Sequence, residues 1–356
     1  MSRPSPPELE ELAFSVARRM MSLRDPSFAE PFPVSLVDMG QWEWPQGVGL
    51  YGIYRLYRRS RDECLLSFLD RWYEERLASG LPERNVNTSS PLLTLVDLYR
   101  ETGKAGYREL CLDWGGWLMD GLPRAGEEGL FQHTITGSLN EGQALIDTLF
   151  MACLFLAKAG AEFGRPEWVE ESARQFLVHV RRLFDPGSGL FFHGCDAVRG
   201  GNYGAVRWGR GNAWYACGLA ELLEVAQPSP ACREELLAAW RAQAAALLRL
   251  QDGSGLWHTV LDDPGSYLET SASAGIGYGM LKGSRLGLGG PELRAAGERA
   301  LAGVVARIDG EGSVQGVSYG TPVGMDAAFY KSIPRRPMTY GQALALLLLV
   351  EALEGS

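Results

Sequence analysis

The chain has 356 residues, of which 46% are hydrophobic, and its formal net charge is −9 with a pI of about 5.2. This composition supports a large buried core, while the acidic balance and the lack of basic blocks argue against nucleic-acid binding or a polybasic membrane surface. The apolar runs are too short to span a bilayer, the six cysteines form no C-x-x-C pair and no signal peptide is visible, so we expect a cytoplasmic protein.

Apolar residues recur with helical spacing through most of the sequence, and Gly and Pro clusters divide this pattern into segments. In chain order the predicted helices cover 8–23, 45–59, 62–79, 91–102, 105–120, 142–159, 167–184, 210–226, 231–250, 267–282, 291–308 and 338–353. Convincing alternating strand segments are few. The chain is therefore predicted to be all-α, with about twelve helices.

Two kinds of helix alternate in this series. One kind, rich in Arg and Glu, comprises 62–79, 167–184, 231–250 and 291–308. The other kind, rich in Gly, Ala and Ser with few charges, comprises 142–159, 210–226, 267–282 and 338–353. The first kind suits helices with one face in water and the second suits helices packed on all sides, which predicts an (α/α)6 barrel. No Pro-rich or Ser-rich linker divides the chain, so we expect a single domain over residues 1–356.

A short motif recurs four times, each time after a predicted helix. It reads Gly-Leu-Phe-Gln-His at 129–133, Gly-Leu-Phe-Phe-His at 189–193, Gly-Leu-Trp-His at 255–258 and, in weaker form, Gly-Ser-Val-Gln-Gly at 312–316. Its glycines are separated by 60, 66 and 57 residues, which is the length of two helices with their loops. The turns are therefore predicted to lie at one end of the barrel, as a candidate binding rim.

Two motif matches are rejected on their context. Residues 47–52 fit the dinucleotide fingerprint G-x-G-x-x-G, but no strand precedes them. Residues 316–320 fit the nucleophile elbow G-x-S-x-G, but no histidine follows, because His258 is the last in the chain. A metal would need more ligands than His193 with Asp196 nearby. We therefore expect neither a cofactor nor a metal.

Asp147 is the leading candidate for a catalytic group. It lies in an apolar run at the start of a predicted inner helix, on the turn side of the barrel. Burial among apolar side chains would raise its pKa and suit a general acid. The dipole of a helix that begins there would instead lower the pKa. The sequence leaves both interpretations open.

Aromatic side chains beside charged groups indicate a carbohydrate pocket. Trp208 and Trp214 flank Arg210, and Trp44 neighbours Glu43 at the start of a predicted helix. Indole faces suit the apolar sides of sugar rings, and a guanidinium suits a carboxylate. Core tryptophans with a nearby surface charge are the alternative for both clusters.

Three further residues are candidate substrate ligands. His133 and His193 close two of the repeated turns, where neutral imidazoles could orient a hydroxyl or a carboxylate. Asn87 lies at the start of an inner helix, where helix capping is a sufficient explanation.

Several short motifs follow one another along the chain, and their order and spacing make the set fairly specific for one family. It comprises 44–47, 91–93 with 98–99, 146–151, 189–193, 208–210 with Trp214, 255–257 and 320–321. Together these motifs resemble glycoside hydrolase family 105, the unsaturated rhamnogalacturonyl hydrolases, which are related to the unsaturated glucuronyl hydrolases. The resemblance implies an (α/α)6 barrel that removes a 4,5-unsaturated uronic acid from the non-reducing end of lyase-generated oligosaccharides. It implies rhamnogalacturonan-type oligosaccharides as the main substrates.

The resemblance also implies a mechanism that needs one carboxyl group. Asp147 would protonate C4 of the C4=C5 double bond and then help to deprotonate the water that adds at C5. Trp44, Trp208, Trp214, His193 and Arg210 would hold the unsaturated sugar, with Arg210 or His193 near its carboxylate.

Two positions depart from the family pattern. Some members have an aspartate where Asn87 stands, and an aromatic residue often precedes the catalytic aspartate at the position of Leu145. A small oligosaccharide is the expected partner of a monomer or homodimer. A sugar epimerase that uses histidines and a non-catalytic carbohydrate-binding barrel remain alternatives.

Overall fold

The helices of the computed structural model form two concentric rings, and the structure describes residues 4–24 and 35–355. Within these ranges the α-helices are α1 (Pro6–Ser22), α2 (Trp44–Ser60), α3 (Glu63–Ser79), α4 (Leu92–Thr102), α5 (Ala105–Asp120), α6 (Leu154–Phe163), α7 (Pro166–Leu183), α8 (Gly209–Val225), α9 (Pro230–Leu250), α10 (Thr270–Arg285), α11 (Pro291–Val305), α12 (Ala327–Ser332) and α13 (Thr339–Glu354). None of these helices is long and apolar enough to cross a membrane.

The inner ring closes on itself. Each of its members packs against the next in the order α2, α4, α6, α8, α10 and α13, and α13 packs against α2. The outer ring consists of α1, α3, α5, α7, α9 and α11, each packed against inner helices. The twelve predicted helices all exist, and the predicted (α/α)6 barrel is confirmed.

Burial separates the two rings as the composition predicted. Every residue of α13 from Thr339 to Leu353 is buried. In α7 the buried residues instead include the stripe Trp168, Ser172 and His179, while its charged residues are exposed or half-buried. A helix packed on all sides has no place for unpaired charge, which explains the Gly, Ala and Leu composition of the inner ring.

All four copies of the repeated motif form tight turns, and the first two of these turns connect short paired strands. The strands are β1 (Arg124–Ala125), β2 (Leu130–Phe131), β3 (Gln143–Leu145), β4 (Phe184–Asp185), β5 (Leu190–Phe191), β6 (Gly194–Asp196), β7 (Trp257–His258) and β8 (Leu268–Glu269). Within residues 4–24 and 35–355 these strands form four antiparallel pairs: β1 with β2, β3 with β6, β4 with β5 and β7 with β8. The motif glycines Gly129, Gly189, Gly255 and Gly312 all have φ between 64° and 87°. This left-handed conformation favours glycine, which explains why the motif repeats it.

Two predicted helices, 142–159 and 267–282, begin too early. In the second, residues 268–269 form β8 and α10 begins at Thr270. The predicted helix 142–159 is wrong at its start, because residues 143–145 form β3, which pairs with β6 about fifty residues further along the chain. Helix begins only after a turn at 146–147, first as a π-helical turn, Leu149–Cys153, and then as α6. The six-residue α12 was not predicted, because its sequence lies in a stretch without a long apolar period. The long-range pairing of β3 with β6 leaves no local signal in the sequence.

Candidate active site

A cavity of about 380 Å³ opens at the barrel end where the inner helices begin. Its walls bring together seven of the eight predicted site residues: Trp44, Asn87, His133, Asp147, His193, Trp208 and Arg210. The eighth, Trp214, does not line the cavity. It is fully buried. Its ring packs edge-on against Trp44 and at a tilt against Phe150. Its position favours support of the wall over direct contact with a sugar.

Strand pairing brings Asp147 beside His193. Leu145 at the end of β3 pairs with Gly194 of β6, and the Ile146 amide donates a hydrogen bond to the His193 carbonyl. The Asp147 carbonyl then accepts hydrogen bonds from the amides that begin the helix. As a result, Nε2 of His193 lies 3.6 Å from Oδ2 of Asp147.

The environment of Asp147 favours the protonated carboxyl. Its side chain is 19% exposed, and Oδ2 is buried without a hydrogen-bond partner among the described residues. Burial raises the pKa of Asp147 to about 7, although the charge of Arg210 and the Trp214 indole oppose the shift. Of the two interpretations that the sequence left open, desolvation therefore outweighs the helix dipole.

Arg210 is a buried cation with a fixed orientation. Its guanidinium carbon lies 4.6 Å from the ring centroids of both Trp208 and Tyr340, so the group is sandwiched between them. Nη1 donates to Ser318 Oγ at 2.6 Å, and Nη2 donates to Thr321 Oγ1 at 2.9 Å. A planar cation held in this way is preorganised to bind a carboxylate.

Glu269 balances this cation from behind. It is fully buried, its Oε1 lies 3.9 Å from Nη1 of Arg210, and it accepts hydrogen bonds from the amides of Ala272 and Ser318. The two backbone donors keep the carboxylate at the start of α10. Glu269 therefore fixes the cation without entering the cavity lining.

The two cavity histidines are neutral. Burial lowers the pKa of His133 to about 3 and lowers the pKa of His193 well below its usual range. Nδ1 of His133 lies 2.8 Å from Thr148 Oγ1, and Nδ1 of His193 lies 2.7 Å from the Tyr330 hydroxyl. His258, in the third repeat turn, lies outside the cavity with its Nδ1 against the carbonyl of Ser266.

Glu43 is a second buried carboxyl in the cavity wall, and the sequence pattern indicates it only as a neighbour of Trp44. Burial raises its pKa to about 7. Its two oxygens accept hydrogen bonds from the Trp44 amide and from Thr136 Oγ1, each at 2.9 Å. Trp44 itself stacks on Tyr340 with ring centroids 4.8 Å apart. The hydrogen bonds tie Glu43 to the wall, whereas Asp147 keeps an oxygen free.

The capping explanation for Asn87 is wrong. The short 3-10 turn Asn87–Ser89 has no cap from its own side chains, and the Asn85 carboxamide oxygen accepts from the Thr88 amide instead. Asn87 thus remains available to the cavity that it lines. Leu145 also lines the cavity, so both departures from the family pattern lie in its wall.

Within residues 4–24 and 35–355 there is no group of three or more His, Cys, Asp or Glu side chains arranged to hold a metal ion. The cavity instead presents one unpaired carboxyl, one oriented cation and aromatic faces. This arrangement suits proton transfer to a sugar that carries a carboxylate.

The chain is similar to several known proteins in sequence and in fold. The sequence model of Glycosyl Hydrolase Family 88 matches residues 16–355. The chain is 37% identical over 319 residues to the unsaturated rhamnogalacturonyl hydrolase YesR of Bacillus subtilis (strain 168), a match that covers 88% of this chain and 90% of that protein.

Two solved structures, each described as a possible member of the GH105 family, share the fold over nearly the whole chain. One, from Klebsiella pneumoniae subsp. pneumoniae MGH 78578, has a TM-score of 0.95 at 40% identity and covers 99% of this chain and 95% of its own. The other, from Salmonella enterica subsp. enterica serovar Paratyphi A, has a TM-score of 0.94 at 39% identity with the same coverage.

Proposed function

The chain belongs to Glycosyl Hydrolase Family 88, and we propose that it removes a 4,5-unsaturated uronic acid from the non-reducing end of lyase-generated oligosaccharides. The resemblance to unsaturated rhamnogalacturonyl hydrolases is thereby confirmed at the level of the family. The observation that carries the reaction is the unpaired oxygen of Asp147, whose pKa burial raises, in the same cavity as Arg210. Membership of a hydrolase family argues against the epimerase and the non-catalytic alternatives.

Asp147 is the proton donor in this reaction. Because its pKa is about 7, much of it is protonated near neutral pH, and it delivers that proton to C4 of the C4=C5 double bond. Positive charge then develops at C5 and is shared with the ring oxygen. Water adds at C5, and the Asp147 carboxylate takes the proton that the water loses.

Ring opening releases the partner sugar. The C5 hemiketal opens by breaking the bond between C5 and the ring oxygen, which leaves a ketone at C5 and a hemiacetal at C1. The hemiacetal collapses to an aldehyde and expels the partner sugar as an alcohol. The anomeric carbon is never attacked, so the reaction does not need the two carboxyl groups that flank the bond in ordinary glycosidases.

The wall residues hold the unsaturated sugar. Arg210 binds the carboxylate at C5, and Trp208 and Trp44 offer aromatic faces to the ring. His193, His133 and Asn87 offer polar contacts to hydroxyl groups. Glu43, with both oxygens engaged, shapes the wall beside Trp44.

The mouth of the cavity favours a partner sugar with an apolar side. Among the described residues, the exposed large hydrophobic side chains are Leu139, Val198, Met325 and Phe329. Of these four, Met325 lines the cavity, where it lies with the apolar residues Leu36, Ile135 and Val323. An apolar rim suits a 6-deoxy sugar such as rhamnose, which agrees with the activity named for the Bacillus subtilis relative.

We further propose one domain, with a cytoplasmic monomer or homodimer. One continuous hydrophobic cluster runs from Leu9 in α1 to Leu353 in α13, which supports a single domain, although the predicted range 1–356 includes residues outside those described. All six cysteines are free thiols, which suits a reducing compartment.

The test is a panel of lyase-generated disaccharides from rhamnogalacturonan, ulvan, arabinogalactan glucuronides and chondroitin. Hydration of the double bond abolishes its conjugated ultraviolet absorbance, so we expect that absorbance to disappear fastest with the rhamnogalacturonan disaccharide. An epimerase would leave the absorbance intact. Turnover of the other disaccharides alone would contradict the assigned partner sugar.

A further inference from the structure

We propose that Tyr330 of α12 is a positioning residue that fixes the tautomer of His193, so that a hydrogen-bond donor on His193 faces Asp147. The proposal rests on the proposed function, because it assigns a purpose to the group beside the proton donor. Tyr330 was not a candidate from the sequence, and it lies 137 residues from His193 along the chain.

Tyr330 anchors the segment that borders the cavity mouth. Residues 320–323 and 325 line the cavity just before α12 begins. The Tyr330 side chain is fully buried in a small cluster with Val206, Trp208 and Val260. Its ring lies 5.8 Å from the His193 ring and 6.1 Å from Trp208. The hydroxyl is therefore delivered to the imidazole by packing, at a fixed place.

The hydrogen-bond partners determine the direction of each bond. The Gly324 amide donates to the Tyr330 hydroxyl oxygen at 3.1 Å. The hydroxyl carries one proton, and Nδ1 of His193 at 2.7 Å is the acceptor that the described residues offer it. Nδ1 is then the unprotonated nitrogen, so a neutral imidazole carries its proton on Nε2.

Nε2 faces the proton donor of the reaction. It lies 3.6 Å from Oδ2 of Asp147, the oxygen without a hydrogen-bond partner among the described residues. The His193 ring packs at a tilt against Trp208, with ring centroids 4.1 Å apart, and this contact holds it in position. An N–H directed there stabilises the carboxylate that forms after the proton reaches C4, and the hydroxyl of Tyr330 keeps that N–H in place.

The charged and titratable groups around His193 are few. Asp147 faces it from the turn before the π-helical turn, Arg210 from α8, His133 from the neighbouring wall and Tyr330 from α12. Burial lowers the pKa of His193, and the neighbouring His133 and Arg210 add to this shift. The imidazole is therefore neutral throughout the working range, and its tautomer is the property left to be set.

The direct test reads the tautomer itself. Nitrogen chemical shifts of a protein labelled with 15N-histidine distinguish protonated from unprotonated ring nitrogens, and the chain has four histidines to assign. We expect His193 to carry its proton on Nε2 alone, and the Tyr330→Phe variant to contain both tautomers. A proton on Nδ1 of His193 in the unmodified protein would overturn the proposal.

A matched variant controls for the packing of α12. The Tyr267 hydroxyl donates to the backbone carbonyl of Tyr330 at 3.2 Å, so Tyr267→Phe also removes a hydroxyl bound to this helix. We expect the His193 tautomer to be unchanged in Tyr267→Phe. An equal tautomer change in both variants would show that the fold of α12, and not the Tyr330 hydroxyl, is responsible.

Activity supplies a second, independent test. We expect kcat of Tyr330→Phe to fall roughly 2- to 10-fold, as for the loss of one ordinary hydrogen bond, because part of His193 then lacks the N–H that faces Asp147. The falling limb of the pH profile should move to higher pH, because loss of the donor raises the pKa of Asp147. In a His193→Gln background there is no tautomer to set, so Tyr330→Phe should cause no further fall. The same fall in both backgrounds would contradict the proposal.

The two hypotheses fail separately. If the tautomer changes as expected but no unsaturated disaccharide is consumed, the proposed function fails and the role of Tyr330 stands. If the substrate is consumed and Tyr330→Phe alters neither tautomer nor pH profile, the role of Tyr330 fails alone.

Discussion

Buried carboxyl groups at the two ends of the inner helices have pKa values shifted in opposite directions. At the end away from the cavity, Glu221 lies 3.1 Å from Lys282 and 3.4 Å from Arg55. Burial alone would raise the pKa of Glu221, but Lys282 and Arg55 lower it to about 2. At the cavity end, the pKa of Asp147 is about 7 and Oδ2 has no partner among the described residues. A buried carboxyl with cationic partners is thus a structural charge at one end, and a buried carboxyl with an oxygen left free is a reactive acid at the other.

We call the end of the barrel away from the cavity the closed end. Its ion pairs join neighbouring inner helices. Arg55 of α2 pairs with Glu351 of α13 at 3.3 Å, and Lys282 of α10 pairs with Glu221 of α8. In the same way, Lys158 of α6 pairs with Asp97 of α4. Each charge has an opposite partner on the next helix, so removal of one member leaves a buried partner with less compensating charge.

The largest effect should follow from Asp147→Asn. The amide cannot donate the proton to C4, so we expect kcat to fall roughly 10²- to 10⁴-fold, as for loss of a general acid. Disappearance of the ultraviolet absorbance of the rhamnogalacturonan disaccharide measures this. Glu43→Gln is the matched change of the other buried carboxyl and should leave far more activity. Full activity in Asp147→Asn would contradict the role of Asp147.

Glu221→Gln should destabilise the barrel without touching the chemistry. The amide leaves Lys282 and Arg55 with less compensating charge, and we expect a loss of roughly 3–5 kcal/mol in the free energy of unfolding. Urea unfolding measures it. The control is Glu235→Gln, which breaks a surface pair with Arg181 and should cost about 0–1 kcal/mol. If both variants behaved alike, the closed end would not depend on its paired charges.

Asp147→Asn should increase the free energy of unfolding at high pH, whereas Glu221→Gln should decrease it. The folded-state pKa of about 7 exceeds the unfolded value, so the native protein loses stability as pH rises from about 4 to about 7. The asparagine variant escapes this loss and should be more stable at pH 8, by about 2–4 kcal/mol at most. At pH 4 the two proteins should unfold at similar urea concentrations. A constant difference across this range would mean that Asp147 is not desolvated.

Arg210 offers a test of substrate charge at the open end. Arg210→Met should raise KM roughly 10- to 100-fold for the acidic disaccharide, as for loss of charge-assisted hydrogen bonds. The methyl ester of the same disaccharide lacks the carboxylate, so its KM should rise less in this variant. Arg210→Lys retains the charge and should keep part of the preference for the acid. Comparison of the two substrates on one protein sample makes the result independent of the folded fraction.

Much of the site was visible in the sequence. The helical period, the alternating composition and the repeated glycines predicted the barrel and the end at which the cavity opens. Aromatic residues beside charges pointed to Trp44, Trp208 and Arg210, which line that cavity. These signals are local, because a helix face, a left-handed glycine and a sequence motif each lie within a few residues.

Other features depend on contacts between distant parts of the chain. The strand β3 in place of a helix start requires β6, and the neutral His193 with a directed proton requires Tyr330. The engagement of Glu43 requires Thr136, 93 residues away. No local pattern records such contacts, so sequence reasoning could name Asp147 but could not decide its pKa.

The sequence by itself therefore determined the double ring of helices, the end that carries the cavity and most of the residues in its wall. Only the tertiary structure decided which buried carboxyl is paired and which is free. The physical reason is that a helical period is a property of neighbouring residues, whereas the free energy of a buried charge depends on every group that the fold places around it.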